Sequence, residues 1–236
     1  MRTGFRFTLI LLLFPMLAAC TALKSHSLKG PGWYKVKQTD TLYSIAWRYG
    51  LDYRQLAQWN GLTEPYRLKP GQQLTLLEPD RIPSNASIKT EKPAKPLKKP
   101  SVIVKPLTPS YNQVVRWQWP TQGKILNRFS MAKLDQRGID IAGKIGQPVR
   151  AVADGKVVYS GTGLSGYGNL IIVKHDNIYL SAYAYNSKRW VKEGKQVKAG
   201  ERIADMGYGK DRKPMLHFQI RKKGKPVDPL KYLPVK

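Results

Sequence analysis

The stretch Lys213-Pro214-Met215-Leu216-His217-Phe218-Gln219-Ile220 carries the chain's most suggestive chemistry. Residues two apart on a strand share a face, so Met215 and His217 point the same way. A histidine held on a strand can ligate a metal or move a proton. A methionine thioether is soft and has no proton to move. The chain holds three histidines, His26, His175 and His217, and one cysteine, Cys20. A lone cysteine forms neither an internal disulfide nor a thiolate metal cluster.

The surroundings of that cysteine point to export. "MRTGFRFTLILLLFPMLAAC" has basic residues at Arg2 and Arg6, an apolar core from Phe7 to Met16, and Leu17-Ala18-Ala19 before Cys20. Its apolar run is shorter than the roughly 20 residues of a spanning helix. Residues 1–19 therefore read as a signal peptide, and the segment resembles a bacterial lipobox, which implies lipidation of Cys20. Thr21, rather than aspartate, follows the cysteine, which in such signals favours the outer membrane. The rest of the chain is then expected on the periplasmic face, tied to the membrane by its lipid. Forty-one Lys and Arg against fifteen Asp and Glu give a formal charge of +26. That excess would suggest nucleic acid, but an exported lipoprotein does not meet it. Wall polymer, lipid head groups and acidic protein surfaces remain as anionic partners.

Composition divides the remainder. Residues 21–32 are a short polar tether. Residues 78–115 are Pro/Lys-rich, without an aromatic residue until Tyr111, and read as an extended basic spacer. Between them, Trp33–Lys37 alternates as a strand. Thr39 or Asp40 can cap a helix with Leu42, Ile45, Ala46 and Tyr49 on one face, stopped by Gly50. A second short helix carries Leu56, Ala57 and Trp59, and Gln73–Leu76 returns as a strand. From residue 116 the pattern is all strands: a hairpin at Asp154-Gly155, one at Asp176-Asn177, and one joining His217–Arg221 through Lys222–Lys225. The expected class is mainly β, with a small βααβ unit at 33–77 and an all-antiparallel sheet domain at 116–236.

The words "YKVKQTDTLYSIAWRYGL", "LAQWNGL" and "YRLKPGQQLTL" resemble a LysM domain, with Thr39 where that family usually has glycine. The resemblance implies a shallow groove for N-acetylglucosamine-containing glycans. Its lips would be Asp40, Thr41 and Leu42 on one side and Asn60, Leu62, Pro70 and Gly71 on the other.

"WQWPTQGKILNRFS", "RGIDIAGKIGQPVRAVADGKVVYSG", "GYGNLIIVKH", "YLSAYAYN", "VKEGKQVKAGERIADMG" and "MLHFQIRKKGKPVDPLKYL" together resemble the lysostaphin/LytM-type zinc endopeptidase domain. In active members zinc is held by the His and Asp of a His-x-x-x-Asp segment and by the second His of a His-x-His strand, with further histidines assisting the water. On this chain the first ligand position is Gln136, the second is Asp140, an auxiliary histidine is Tyr185, and the strand offers Met215 and His217. Two of five positions survive. A catalytic zinc takes three strong donors and an open position, so no metal or other cofactor is expected. His217 is expected to be a buried histidine bonded to Asp140, with His175 structural.

One LysM, a basic spacer and a degenerate LytM domain resemble the NlpD group of murein hydrolase activator lipoproteins, including its shorter YgeR-like members. That resemblance implies peptidoglycan binding and activation of a periplasmic N-acetylmuramoyl-L-alanine amidase in cell separation, without hydrolysis by the chain itself. The vacated groove is the expected docking surface, with Asp140, Tyr183, Tyr185, Met215 and His217 on the floor and Gln136, Arg137 and Asn169 around it. An active endopeptidase with unusual ligands and a plain wall-to-membrane tether remain open alternatives. If the lips act as implied, Asp40→Ala with Asn60→Ala weakens pelleting with purified sacculi and leaves the sheet domain folded.

Overall fold

The computed structural model describes residues 32–79, 115–132 and 136–235. The signal segment 1–19, Cys20, residues 21–31 of the tether and residues 80–114 of the spacer lie outside the described residues.

The N-terminal unit pairs β1 (Trp33–Lys35) with β2 (Gln73–Thr75) antiparallel, Trp33 opposite Thr75. Between them run α1 (Leu42–Tyr49) and α2 (Tyr53–Trp59). The cap of α1 is Thr41, not Thr39 or Asp40. Its hydroxyl accepts from the Ser44 amide at 3.1 Å, and the Thr41 amide donates to the Ser44 hydroxyl at 3.0 Å. This reciprocal pair satisfies two amides that helix geometry leaves without partners. Gly50 ends the helix in the left-handed conformation (φ 67°), which a residue without Cβ adopts at little cost. Leu42, Ile45, Ala46, Leu56, Ala57 and Leu74 fill the space between helices and ribbon.

The C-terminal domain is built from β3 (Ile125–Asn127), β4 (Ile139–Ala142), β5 (Pro148–Arg150), β6 (Gly155–Gly161), β7 (Asn169–Lys174), β8 (Tyr179–Arg189), β9 (Gln196–Val197), β10 (Arg202–Tyr208), β11 (Pro214–Lys222) and β12 (Lys225–Val227). Every ladder among the described residues is antiparallel. The hairpin at Asp176-Asn177 forms as β7–β8: one Asp176 oxygen accepts from the amides of Ile178 and Tyr179, both at 2.6 Å. The hairpin at Lys223-Gly224 also forms, as β11–β12.

The expected hairpin at Asp154-Gly155 does not form. Strand β5 pairs with β10, while β6 pairs with β7 and β9. The Asp154 carboxylate turns away from its own loop to accept from the Ala199 amide (2.8 Å) and the Lys198 ammonium (2.9 Å). The backbone at Ala151 is held at the same time by Glu201 and Gly200. A two-residue turn signal was thus outweighed by long-range partners.

Strand parity sorts the domain's side chains onto two faces. Leu216, Phe218 and Ile220 of β11 join Ile171, Val173, Tyr183, Ile139 and Ile203 in one core. The other face of the sheet, with Val158, Leu170, Ile172, Leu180, Ala182 and Ala184, packs against the helices of the N-terminal unit in a single shared cluster. The two parts are therefore docked.

Arg221 sits at this junction. Its Nη1 donates to the Trp47 carbonyl at 2.8 Å, and its guanidinium lies 3.6 Å from the centre of the Trp47 ring. Burial pulls its pKa down to about 10, which leaves it charged at neutral pH. A buried cation is costly unless satisfied; here a ring face and a carbonyl offset part of that cost, while the buried Nε has no hydrogen-bond partner among the described residues. The turn Lys223-Gly224 fits the same junction, because a Cβ on Gly224 would collide with the Leu51 carbonyl. We expect Trp47→Ala to cost about 3–5 kcal/mol in denaturant unfolding. It should also make the junction between the two parts newly sensitive to protease.

Candidate functional site

Two places in the structure concern function. The first is built on the His217 face of β11. Cross-strand pairing sets His217 beside Asp140 of β4 and Ala184 of β8. His217 Nδ1 and Asp140 Oδ1 are 2.6 Å apart, and both residues are buried. The other carboxylate oxygen, Oδ2, accepts from the Asn127 amide at 2.9 Å. On its far side, His217 Nε2 lies 2.8 Å from the Gln219 amide nitrogen, which also reaches the Tyr167 hydroxyl at 3.3 Å. In this arrangement the Gln219 amide nitrogen faces His217 Nε2 and Asp140 faces Nδ1, while the buried Gln219 Oε1 has no partner among the described residues. The result is a closed chain of hydrogen bonds from Asn127 to Tyr167.

The rings of Tyr185 and Tyr167 lie over this chain, with centres 5.9 and 6.1 Å from the His217 ring. Tyr185 holds a left-handed backbone (φ 64°), rare for a residue with a bulky side chain, secured by its amide donating to the Tyr167 carbonyl. Met215 is buried beside Gly209. Arg137 is half-buried, and its Nε meets no hydrogen-bond partner. Asn169 exchanges amide–carbonyl bonds with Asn186 at the strand end, both 2.9 Å. The Gln136 backbone carbonyl accepts from the Ser130 amide.

Tyr183 does not join this group. It pairs with Phe218 across the ladder and so faces the opposite core, fully buried, its hydroxyl accepting from the Val152 amide and the Ser181 hydroxyl. Burial raises its pKa well above the usual phenol range. The two-residue period decides this, and an irregularity in β8 between Tyr183 and Asn186, opposite β7, where Tyr185 takes its left-handed backbone, lets Tyr185 lie over His217 all the same. Asn127, Tyr167 and Gln219 were not foreseen, although Gln219 could have been, since it stands two residues from His217. His175 is not near enough to serve here: its Nδ1 meets the Asp154 carbonyl and its Nε2 the Ser181 hydroxyl. Burial lowers its pKa to about 4, so it is neutral at pH 7.

Zinc is the metal this fold would imply, and the residues present do not fit it. Asp140 and His217 supply two donors, each already committed to the other. Among the described residues no group of three His, Cys, Asp or Glu side chains could hold a metal. Gln136 and Met215 add an amide and a thioether, poor partners for zinc beside carboxylate and imidazole.

The second place is the groove of the N-terminal unit. Its two loops face each other across a cleft of about 380 Å³. One wall is Asp40–Tyr43. The other is Glu64–Tyr66 with Leu68, from the middle of the α2–β2 loop, and not Asn60, Leu62, Pro70 or Gly71. Asn60 is occupied elsewhere: its amide donates to Leu56 and Thr75 carbonyls and accepts from the Thr75 amide at 2.7 Å, clamping α2 to β2. Asp40 is likewise tied to the Tyr34 hydroxyl (2.7 Å), the Lys37 amide (2.8 Å) and Arg48. Loss of sacculus binding in Asp40→Ala with Asn60→Ala would thus report on the loop fold as well as on glycan contact. Tyr66, whose ring stacks edge-on against Tyr43 and Tyr53, is the wall residue that spacing alone did not reveal.

With this geometry in view, comparison with known proteins identifies the two parts. The LysM domain model matches residues 34–76, and the peptidase family M23 model matches residues 135–229. The chain is thus a LysM protein with an M23-type domain. It is 41% identical to a lipoprotein NlpD/LppB homolog of Pseudomonas aeruginosa, covering 86% of this chain and 77% of that one. It is 38% identical to the murein hydrolase activator NlpD of Escherichia coli, over 85% of this chain and 67% of the relative. An uncharacterized lipoprotein, YgeR, of Escherichia coli is 39% identical over 93% and 88%. The chain belongs to this NlpD/YgeR family. Among solved structures, a zinc-containing peptidase from Vibrio cholerae overlays on 50% of this chain and 41% of its own, with a TM-score of 0.46 and 30% identity.

Removing one member of the closed chain leaves its buried neighbour unpaired. We expect Asp140→Ala to lower stability by about 1–3 kcal/mol in denaturant unfolding, while adding zinc does not raise the melting temperature of the native chain.

Proposed function

We propose that this chain is a lipid-anchored protein of the periplasmic face of the outer membrane. In this reading Cys20 carries the lipid after removal of residues 1–19, residues 21–32 are the tether, and residues 33–77 bind peptidoglycan. Residues 78–115 link that LysM domain to the M23-type domain at 116–236, which activates an N-acetylmuramoyl-L-alanine amidase and does not itself cut the wall. Its output is the splitting of septal peptidoglycan during cell separation.

The observation that carries this reading is the closed Asn127–Asp140–His217–Gln219 chain, which occupies what would be a zinc site, in a family whose named members include murein hydrolase activators. An activator needs a surface, not a nucleophile. It raises activity by binding the open form of a self-inhibited enzyme better than the closed one. The rim around the buried pair offers Arg137, Asn169 and Tyr185, with Tyr208 60% exposed beside the start of β11. Arg and Tyr are residue types enriched at protein interfaces.

A dye-release assay on labelled sacculi tests it. The chain alone should release nothing above buffer, with or without chelator. Added to each periplasmic amidase of the source organism, it should stimulate at least one, and Arg137→Glu with Tyr185→Ala should abolish that gain. Chelator-sensitive release by the chain alone would sink the reading.

A further inference from the structure

The cleft opened by the LysM loops does not end on the LysM domain. Its remaining wall belongs to the M23-type domain: Lys156 and Val158 on β6, Lys174 on β7, and Glu193 with Gly194 in the turn before β9. Two fasteners hold this wall against the loops. The Thr41 hydroxyl donates to the Val158 carbonyl at 3.2 Å, and Arg48 Nη2 donates to the Gly163 carbonyl at 3.0 Å.

We propose that a glycan built from N-acetylated amino sugars binds in this cleft, between the two domains, and that the β6 wall contributes direct contacts to it. The proposal rests on the peptidoglycan-binding reading above and says where the sugar lies and which residues hold it.

Size is the first argument. At about 380 Å³ the cleft falls in the range of small-ligand pockets, which favour domain boundaries. Chemistry is the second. Sugar rings present apolar C–H faces and a rim of hydroxyl and acetamide groups. Tyr43, Pro65, Tyr66 and Leu68 offer apolar and aromatic surface for the faces. The rim needs charged or polar heads with capacity to spare. On the LysM side Asp40 is taken by Tyr34, Lys37 and Arg48, and one oxygen of the exposed Glu64 by Lys174 at 3.1 Å, while the Tyr66 hydroxyl has capacity to spare. On the opposite wall, the Lys156 side chain makes no hydrogen bond or ion pair among the described residues, and Glu193 makes only a long contact of 3.4 Å to the Ser160 amide. The LysM domain thus supplies the platform, and the neighbouring domain adds free hydrogen-bonding groups across from it.

Charge narrows the ligand. Two lysines stand against the three carboxylates of Asp40, Glu64 and Glu193, so the cleft has no attraction for a polyanion despite the chain's +26. An uncharged polyol with acetamide groups suits it.

The test uses the full chain and two probes, chitotetraose and purified sacculi, with melting temperature as a control for folding. Lys156→Ala with Glu193→Ala alters only the M23-type wall, and Tyr66→Ala alters only the LysM wall. Both variants should bind chitotetraose at least about five-fold more weakly than the native chain, with melting unchanged for Lys156→Ala with Glu193→Ala and lowered for Tyr66→Ala, which loses its packing on Tyr43 and Tyr53. If the Lys156/Glu193 variant binds as the native chain does while Tyr66→Ala is weakened, the LysM domain holds the sugar alone. The shared site is then wrong, and the peptidoglycan reading stands. If neither variant is weakened, the cleft is not the sugar site. If the native chain binds neither chitotetraose nor sacculi, the peptidoglycan reading itself fails.

Discussion

Arg221 meets no carboxylate among the described residues, yet it is buried, charged and central. Its guanidinium closes against the ring and carbonyl of Trp47, one on each side of the domain boundary. Such a group can stay in place only while the aromatic face covers it, because an uncovered buried cation costs several kcal/mol. The docking of the LysM domain on the sheet and the cover over the charged Arg221 are therefore one condition. Undocking would return the guanidinium to water and would also expose Leu170, Ile172 and Leu180. The interdomain cleft exists because this condition holds. So does the column His217, Gln219, Arg221 that runs along a single face of β11 from the former metal position to the LysM helix.

Much of this was legible in the sequence because short-period patterns report directly on local structure. The βααβ order, the Gly50 stop and the β7–β8 turn at Asp176 each follow from residues within a few positions of one another. The failures share a different cause. The Asp154-Gly155 turn lost to partners more than forty residues away at Lys198 and Ala199. Tyr183 and Tyr185 share strand parity, yet only Tyr185, at the departure from regular pairing in β8, reaches the His217 face. Asn60 looked like a groove lip, and in the structure its amide is spent on Leu56 and Thr75. No local pattern could have announced the domain interface, since Trp47 and Arg221 are 174 residues apart.

The Asp140–His217 pair shows how two buried polar groups can be held without a metal. An aspartate and a histidine left without a metal would be two buried polar groups in need of partners. Here each satisfies the other, and Asn127 and Gln219 take up the remaining valences. The ladders on either side of the pair keep their register around it.

The docked arrangement also bears on how far the protein can stand from a membrane. Both ends of the Pro/Lys-rich spacer return to one body, since residues 79 and 115 belong to the two parts that Arg221 and Trp47 hold together. A spacer fixed at both ends is a closed loop, and lengthening it adds no distance to anything. With Cys20 held by lipid as proposed, only residues 21–32 separate the bilayer from the folded body, a leash of at most ~40 Å when fully extended. The folded body then begins within that distance of the lipid surface. A longer spacer would leave this gap unchanged, whereas each residue added before Trp33 would widen it.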